Sequence, residues 1–115
     1  MNRIFKSFAY AFAGLIYAFK TQMNFKIHCL ATVLIIILGF YVGLSFTEWL
    51  WIAGAIALVL VVELLNTAIE VLVDLVSPQQ NPKAGAIKDI AAAAVLISAL
   101  LSLIIALLIF VPKFI

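Results

Sequence analysis

The stretch LWIAGAIALVLVVELLNTAIEVLVDLV, residues 50–76, decides the fold. At a rise of about 1.5 Å per residue, a helix of this length covers roughly 40 Å, enough to cross the hydrocarbon core of a bilayer with some tilt. Within it stand Glu63, Asn66, Thr67, Glu70 and Asp74. Steps of three, four and seven return to the same side of a helix, so these five residues form one polar stripe on an otherwise apolar rod. A bare carboxylate at membrane depth is costly, and intramembrane acids mark functional sites by default. Two on one face call for partners and a task.

The composition agrees with a membrane setting. Of 115 residues, 68% are hydrophobic and only 10% charged, whereas a soluble domain is about 45–50% apolar. Strand-like alternation with period two is absent, so the expected class is all-α integral membrane. The opening residues lack a small-residue cleavage site, so no cleavable signal peptide is expected. A net charge of +2, without a basic patch of interleaved aromatics, argues against nucleic acid as a partner. Cys29 is the single cysteine and cannot form an intrachain disulfide; it reads as a small packing residue.

Outward from the central stretch, the chain divides into five parts. Residues 3–20 mix Phe5, Phe8, Phe12, Leu15 and Phe19 with Lys6, Tyr10 and Lys20, which predicts an amphipathic helix lying on the membrane surface. Residues 25–45 are the expected first span and 49–76 the second. Ser45 or Thr47 can cap the second span, with Glu48 in its first turn and Trp49 and Trp51 at the interface. Residues 77–88 contain Pro78, Pro82 and Gly85 and are expected to form a loop. Residues 89–112 are the expected third span, in which Ala91, Ala92, Ala93 and Ala94 would let a neighbouring helix come close. Arg3, Lys6, Lys20, Lys26, Lys83 and Lys88 fall on one side of the three spans and only Lys113 on the other. The positive-inside rule then puts the amino terminus and the 77–88 loop in the cytoplasm, beside available nucleotide.

The stripe suggests its own chemistry. Acids one or two helical turns apart near water, with an amide and a hydroxyl beside them, can hold Mg²⁺, which favours carboxylate and phosphate oxygens and keeps several waters. The deeper Glu63 could accept a proton from a lipid hydroxyl. Positioning and charge neutralisation are most of what phosphoryl transfer needs. The competing account is that these polar groups only join helices in an oligomer.

The run Glu63-Leu64-Leu65-Asn66-Thr67-Ala68-Ile69-Glu70, then Asp74, then Lys88-Asp89-Ile90-Ala91-Ala92-Ala93-Ala94-Val95, resembles the E-x-x-N-S/T-A-I-E-x-x-x-D and K-D-x-x-x-A-A-V signature of the small prokaryotic diacylglycerol kinase family, which includes undecaprenol kinases. Arg3, Tyr10, Gly14 and Asn24-Phe25-Lys26-Ile27-His28 extend the resemblance over nearly the whole chain. It implies a surface helix and three transmembrane helices assembled as a homotrimer in the bacterial inner membrane, with active sites shared between subunits. It also implies transfer of the γ-phosphoryl of Mg²⁺-bound ATP to a membrane lipid alcohol, undecaprenol or diacylglycerol. Carried over by position, Glu63 is the general base and Asn66 its polar neighbour, while Glu70 binds the metal. Asp74, Lys88 and Asp89 face the nucleotide, and Arg3 and Tyr10 lie near ATP and lipid.

Two positions depart from the family pattern. Where relatives usually carry a metal-binding glutamate this chain has Gln22, which keeps a neutral oxygen but not the charge. The loop reads Pro78-Gln79-Gln80-Asn81-Pro82 where relatives tend to have an acid, an aromatic and a histidine. These departures keep open a relative that persists as a membrane oligomer with weakened catalysis. A small proton-coupled exporter is the other alternative, although exporters of that kind typically need four spans and an acid in the first. Gln22→Glu is expected to lower the Mg²⁺ concentration that supports half-maximal lipid phosphorylation; an unchanged metal titration would show that position 22 does not sense the ion.

Overall fold

The computed structural model describes residues 2–115 as four helices: α1 (Asn2–Thr21), α2 (Met23–Val42), α3 (Phe46–Val76) and α4 (Pro82–Phe114). Among the described residues, α2, α3 and α4 are long and apolar enough to cross a membrane, as the composition requires. The helical class and the three candidate spans agree with the sequence expectation. The boundaries do not agree everywhere, and local backbone and capping chemistry explains the main differences.

α2 ends at Val42, short of residue 45, because Gly43 takes the left-handed conformation (φ 73°). In that turn the N–H groups of Gly43 and Leu44 both donate to the Gly39 carbonyl, at 3.0 and 3.1 Å, which closes the helix end at a residue without a Cβ to strain it. α3 begins earlier than residue 49. Ser45 Oγ accepts from the Glu48 N–H at 3.2 Å while the Ser45 N–H donates to Glu48 Oε1 at 2.9 Å, a reciprocal capping box.

The expected 77–88 loop is the largest correction, because the helix already starts at Pro82 and only residues 77–81 remain as the turn. Proline lacks the N–H that a first helical residue would leave unpaired, and Asn81 Oδ1 accepts from the Lys83 N–H at 2.9 Å. Asn81 followed by Pro82 is therefore a helix start, and Gly85 lies inside the helix. At the far end α4 runs through Pro112 to Phe114, since a missing N–H in the last turn removes one hydrogen bond without ending the helix.

α3 packs chiefly along α4, with α2 joining them and α1 touching both α2 and α3. Away from the polar stripe, Leu44, Ile52 and Phe110 form a buried cluster flanked by Ile35, Leu38 and Trp49. α2 comes so close there that a Cβ built on Gly39 would lie 2.6 Å from Trp49 Cη2. Trp49 also packs on Phe40, ring centroids 4.9 Å apart. At the same end Lys113 Nζ lies 3.1 Å from Glu48 Oε1, tying the last turn of α4 to the cap of α3. Ser102 Oγ donates to the Ala55 carbonyl at 3.1 Å, a further α4 to α3 link. Of the alanine run only Ala91 is buried, so Ala92, Ala93 and Ala94 do not serve packing within this chain.

The contact at Gly39 gives a direct test. Gly39→Ala should destabilise the bundle by about 1–3 kcal/mol through overpacking, read as earlier thermal unfolding in detergent micelles. Gly14→Ala, where an added Cβ meets no atom within 4 Å, should unfold no earlier than the parent chain.

Candidate active site

Along α3 the five stripe residues pass from the protein interior to water. Glu63 is 1% exposed, Asn66 and Thr67 are also buried, Glu70 is half-buried and Asp74 is exposed. Helical periodicity puts them on one face, and packing buries the end of that face nearer the middle of α3. Thr67 Oγ1 donates to the Glu63 carbonyl at 2.9 Å, so this hydroxyl is occupied by its own helix. Asn66 Nδ2 donates to Glu70 Oε1 at 3.2 Å, which orients the carboxylate one turn further on.

Glu63 faces a group from another helix. His28 Nε2 of α2 lies 3.3 Å from Glu63 Oε1. The approach is at ion-pair distance but misses hydrogen-bond direction, and Oε1 has no hydrogen-bond donor among the described residues. Asn66 Oδ1 is likewise buried without a donor. An unsatisfied buried acceptor costs about 1–3 kcal/mol, so Glu63 Oε1 and Asn66 Oδ1 each call for a donor that the described residues do not supply. In the sequence His28 only closes the Asn24–His28 segment of the family resemblance, with no role of its own; the packing of α2 on α3 brings it to the stripe.

Beside the pair lies a cavity of about 90 Å³ lined by His28, Thr32, Ala55, Val59, Ser102 and Ala106 among others. Its two hydroxyls are used by backbone carbonyls, Thr32 by that of His28 at 2.8 Å and Ser102 by that of Ala55, which leaves the cavity apolar in character. A wider apolar groove of about 740 Å³ runs between α1 and α3, from Gly14 and Ala18 to Thr67 and Leu72.

The polar end of the stripe opens on a different hollow, of about 590 Å³, between the end of α3, the 77–81 turn and the start of α4. Asp74, Gln79, Asn81 and Lys88 line it. Lys88 Nζ pairs with Asp74 Oδ1, so two of the residues expected on the nucleotide side form one unit across the turn. Asp89 is exposed on the following residue of α4. Arg3 and Tyr10 are exposed on α1, and their side chains form no hydrogen bond or ion pair among the described residues. Gln22 is the break between α1 and α2, with extended backbone and no side-chain cap bond.

No group of three His, Cys, Asp or Glu side chains that could hold a metal occurs among the described residues. The donor set instead fits a cation held mainly through phosphate oxygens and water. Mg²⁺ is commonly bound in that way, with one or two carboxylates, and the oriented Glu70 could supply one.

These features define a class of protein: a small helical protein with three candidate membrane spans, whose buried carboxylate grades, along one helix, into an exposed acidic and basic rim. The model of the prokaryotic diacylglycerol kinase family matches residues 9–110, and the chain belongs to that family. It is 47% identical over 98% of its length, and 92% of the relative's, to an undecaprenol kinase of Bacillus subtilis. It is 42% identical to a diacylglycerol kinase of Synechocystis over 86% of this chain and 57% of the relative. With a diacylglycerol kinase of Escherichia coli it shares 29% identity over 90% of this chain and 84% of the relative. The chain is thus a lipid kinase of the diacylglycerol kinase and undecaprenol kinase type.

The Asn66 to Glu70 bond predicts a specific phenotype. Asn66→Leu, which keeps the bulk and removes the donor, should raise the Mg²⁺ concentration for half-maximal activity by about tenfold, measured by metal titration at saturating ATP.

Proposed function

We propose that this kinase phosphorylates a membrane lipid alcohol, undecaprenol or diacylglycerol, at the cytoplasmic face of the bacterial inner membrane, with Mg²⁺-bound ATP as donor. One observation carries the mechanism: the buried Glu63 Oε1, a hydrogen-bond acceptor without a donor, at the deep end of a stripe that reaches water at Asp74. Six of the seven basic residues fall on the side of that water-facing end, which supports the cytoplasmic orientation. α1, which buries only Ala18, suits a helix lying on the membrane surface.

A lipid hydroxyl entering beside Thr67 from the groove between α1 and α3 would donate to Glu63 Oε1. As the hydroxyl oxygen bonds to the γ-phosphorus of ATP, its proton passes to the Glu63 carboxylate and the bond from γ-phosphorus to the bridging oxygen breaks, releasing ADP. Asn66 offers its amide to the same face and keeps Glu70 turned toward the phosphates. Bound Mg²⁺ would be held by the Glu70 carboxylate, with Gln22 offering a neutral oxygen, and would neutralise phosphate charge. The Asp74 and Lys88 pair borders the hollow suited to the nucleotide; Asp89, exposed on the following residue of α4, and Arg3 and Tyr10, exposed on α1, would join from outside that lining. Exposed apolar side chains such as Leu34, Phe40, Ile97 and Leu108 leave ample surface for a homotrimer.

Glu63→Gln tests this directly. It should lower phosphorylation of extracted lipid by about 10²-fold or more while leaving the oligomer on size exclusion unchanged. Undiminished label transfer from ATP to either lipid would show that Glu63 is not the base.

A further inference from the structure

Glu63 has a neighbour that the reaction outlined above does not use. His28 sits early in α2, six residues past the Gln22 break, and its backbone carbonyl is held by Thr32 Oγ1 at 2.8 Å. Its imidazole is 25% exposed, against 2% for the Glu63 side chain, so the ring stands between the buried acid and the surroundings. No other ion pair to Glu63 occurs among the described residues; the remaining pairs are those of Asp74 with Lys88 and Glu48 with Lys113, at the two ends of α3. The ring also lines the small cavity, where the hydroxyls of Thr32 and Ser102 are already donated to backbone carbonyls. Neither of those hydroxyls competes for the carboxylate.

The decisive feature is the direction of approach. The Nε2 to Oε1 separation of 3.3 Å lies within electrostatic reach, yet Oε1 accepts no hydrogen bond. A head-on imidazole N–H would occupy the acceptor direction that a lipid hydroxyl needs. An imidazole placed to one side attracts the carboxylate and limits its swing while leaving that direction open. A glutamate side chain has three rotatable bonds, and displacing a reacting group by about 1 Å can cost 10²-fold in rate.

We propose that His28 is a positioning residue of this kinase, holding the Glu63 carboxylate from the side so that Oε1 stays directed at the incoming lipid hydroxyl. The proposal rests on Glu63 being the general base. It concerns the rate of the chemical step and not the affinity for lipid.

Steady-state kinetics of the full chain in detergent micelles, with MgATP and whichever of undecaprenol and diacylglycerol is turned over faster, separate the possibilities. His28→Leu removes the polar ring at similar bulk and should lower kcat by about tenfold or more with the lipid KM and the thermal unfolding midpoint nearly unchanged. His28→Gln, which returns a polar N–H to the side of the carboxylate, should recover most of that loss. Glu63→Asp draws the carboxylate back and should itself be slow; adding His28→Leu to it should then cost little more, because the displaced acid no longer meets the ring. Equal kcat for the leucine variant and the parent would overturn the positioning role, as would an effect confined to KM or a leucine penalty of the same size in the Glu63→Asp background. If the leucine variant unfolds early, His28→Met carries the same comparison with glutamine. Full rate in the Glu63→Gln variant would instead remove Glu63 as the base, an outcome distinct from failure of the His28 role alone.

Discussion

A carboxylate withdrawn from water must find charge, hydrogen bonds or a function to offset its lost solvation, and the burial of Glu63 is the constraint on which the rest of this structure depends. It obliges α3 to carry a polar face through an apolar environment, and it obliges a neighbouring helix to present something other than hydrocarbon at that depth. α2 does so with His28. The partial match, close in distance but off the hydrogen-bond direction, leaves Oε1 without a donor among the described residues.

The two ends of α3 solve opposite problems. Near Glu48 the chain is closed by the capping box, the Glu48 to Lys113 pair and the contact of Trp49 with the bare backbone of Gly39. This end is packed as a core and contains none of the stripe. Toward Asp74 the same helix becomes progressively exposed and ends beside a short turn and the Asp74 to Lys88 pair. Rigidity at one end and access at the other suit a site that must hold a buried acid steady while exchanging a soluble nucleotide.

Much of this was legible from spacing. The stripe on α3, the three apolar spans and the role of Ser45 and Glu48 as a helix start follow from periodicities of three and four and from local capping chemistry, which tertiary contacts did not override. The 77–88 segment reads as a loop when proline and glycine count only as helix breakers, yet Asn81 and Pro82 together supply a cap and a first residue that needs no N–H. His28 carries no signal of its own in the sequence, because the side chain it meets is 35 positions away and no periodicity links α2 to α3. Similarly, Lys88 and Asp74 were both singled out, but their pairing depends on how the turn folds α4 back.

By itself the sequence determined the membrane class, the helical spans and the register of the polar face, since hydropathy and the 3.6-residue repeat act locally along one helix. Only the tertiary structure decided which of those polar groups are buried, which acceptors stay without donors and which side chain of another helix meets them. Burial and direction arise from the packing of separate segments, and no spacing within a single segment encodes them.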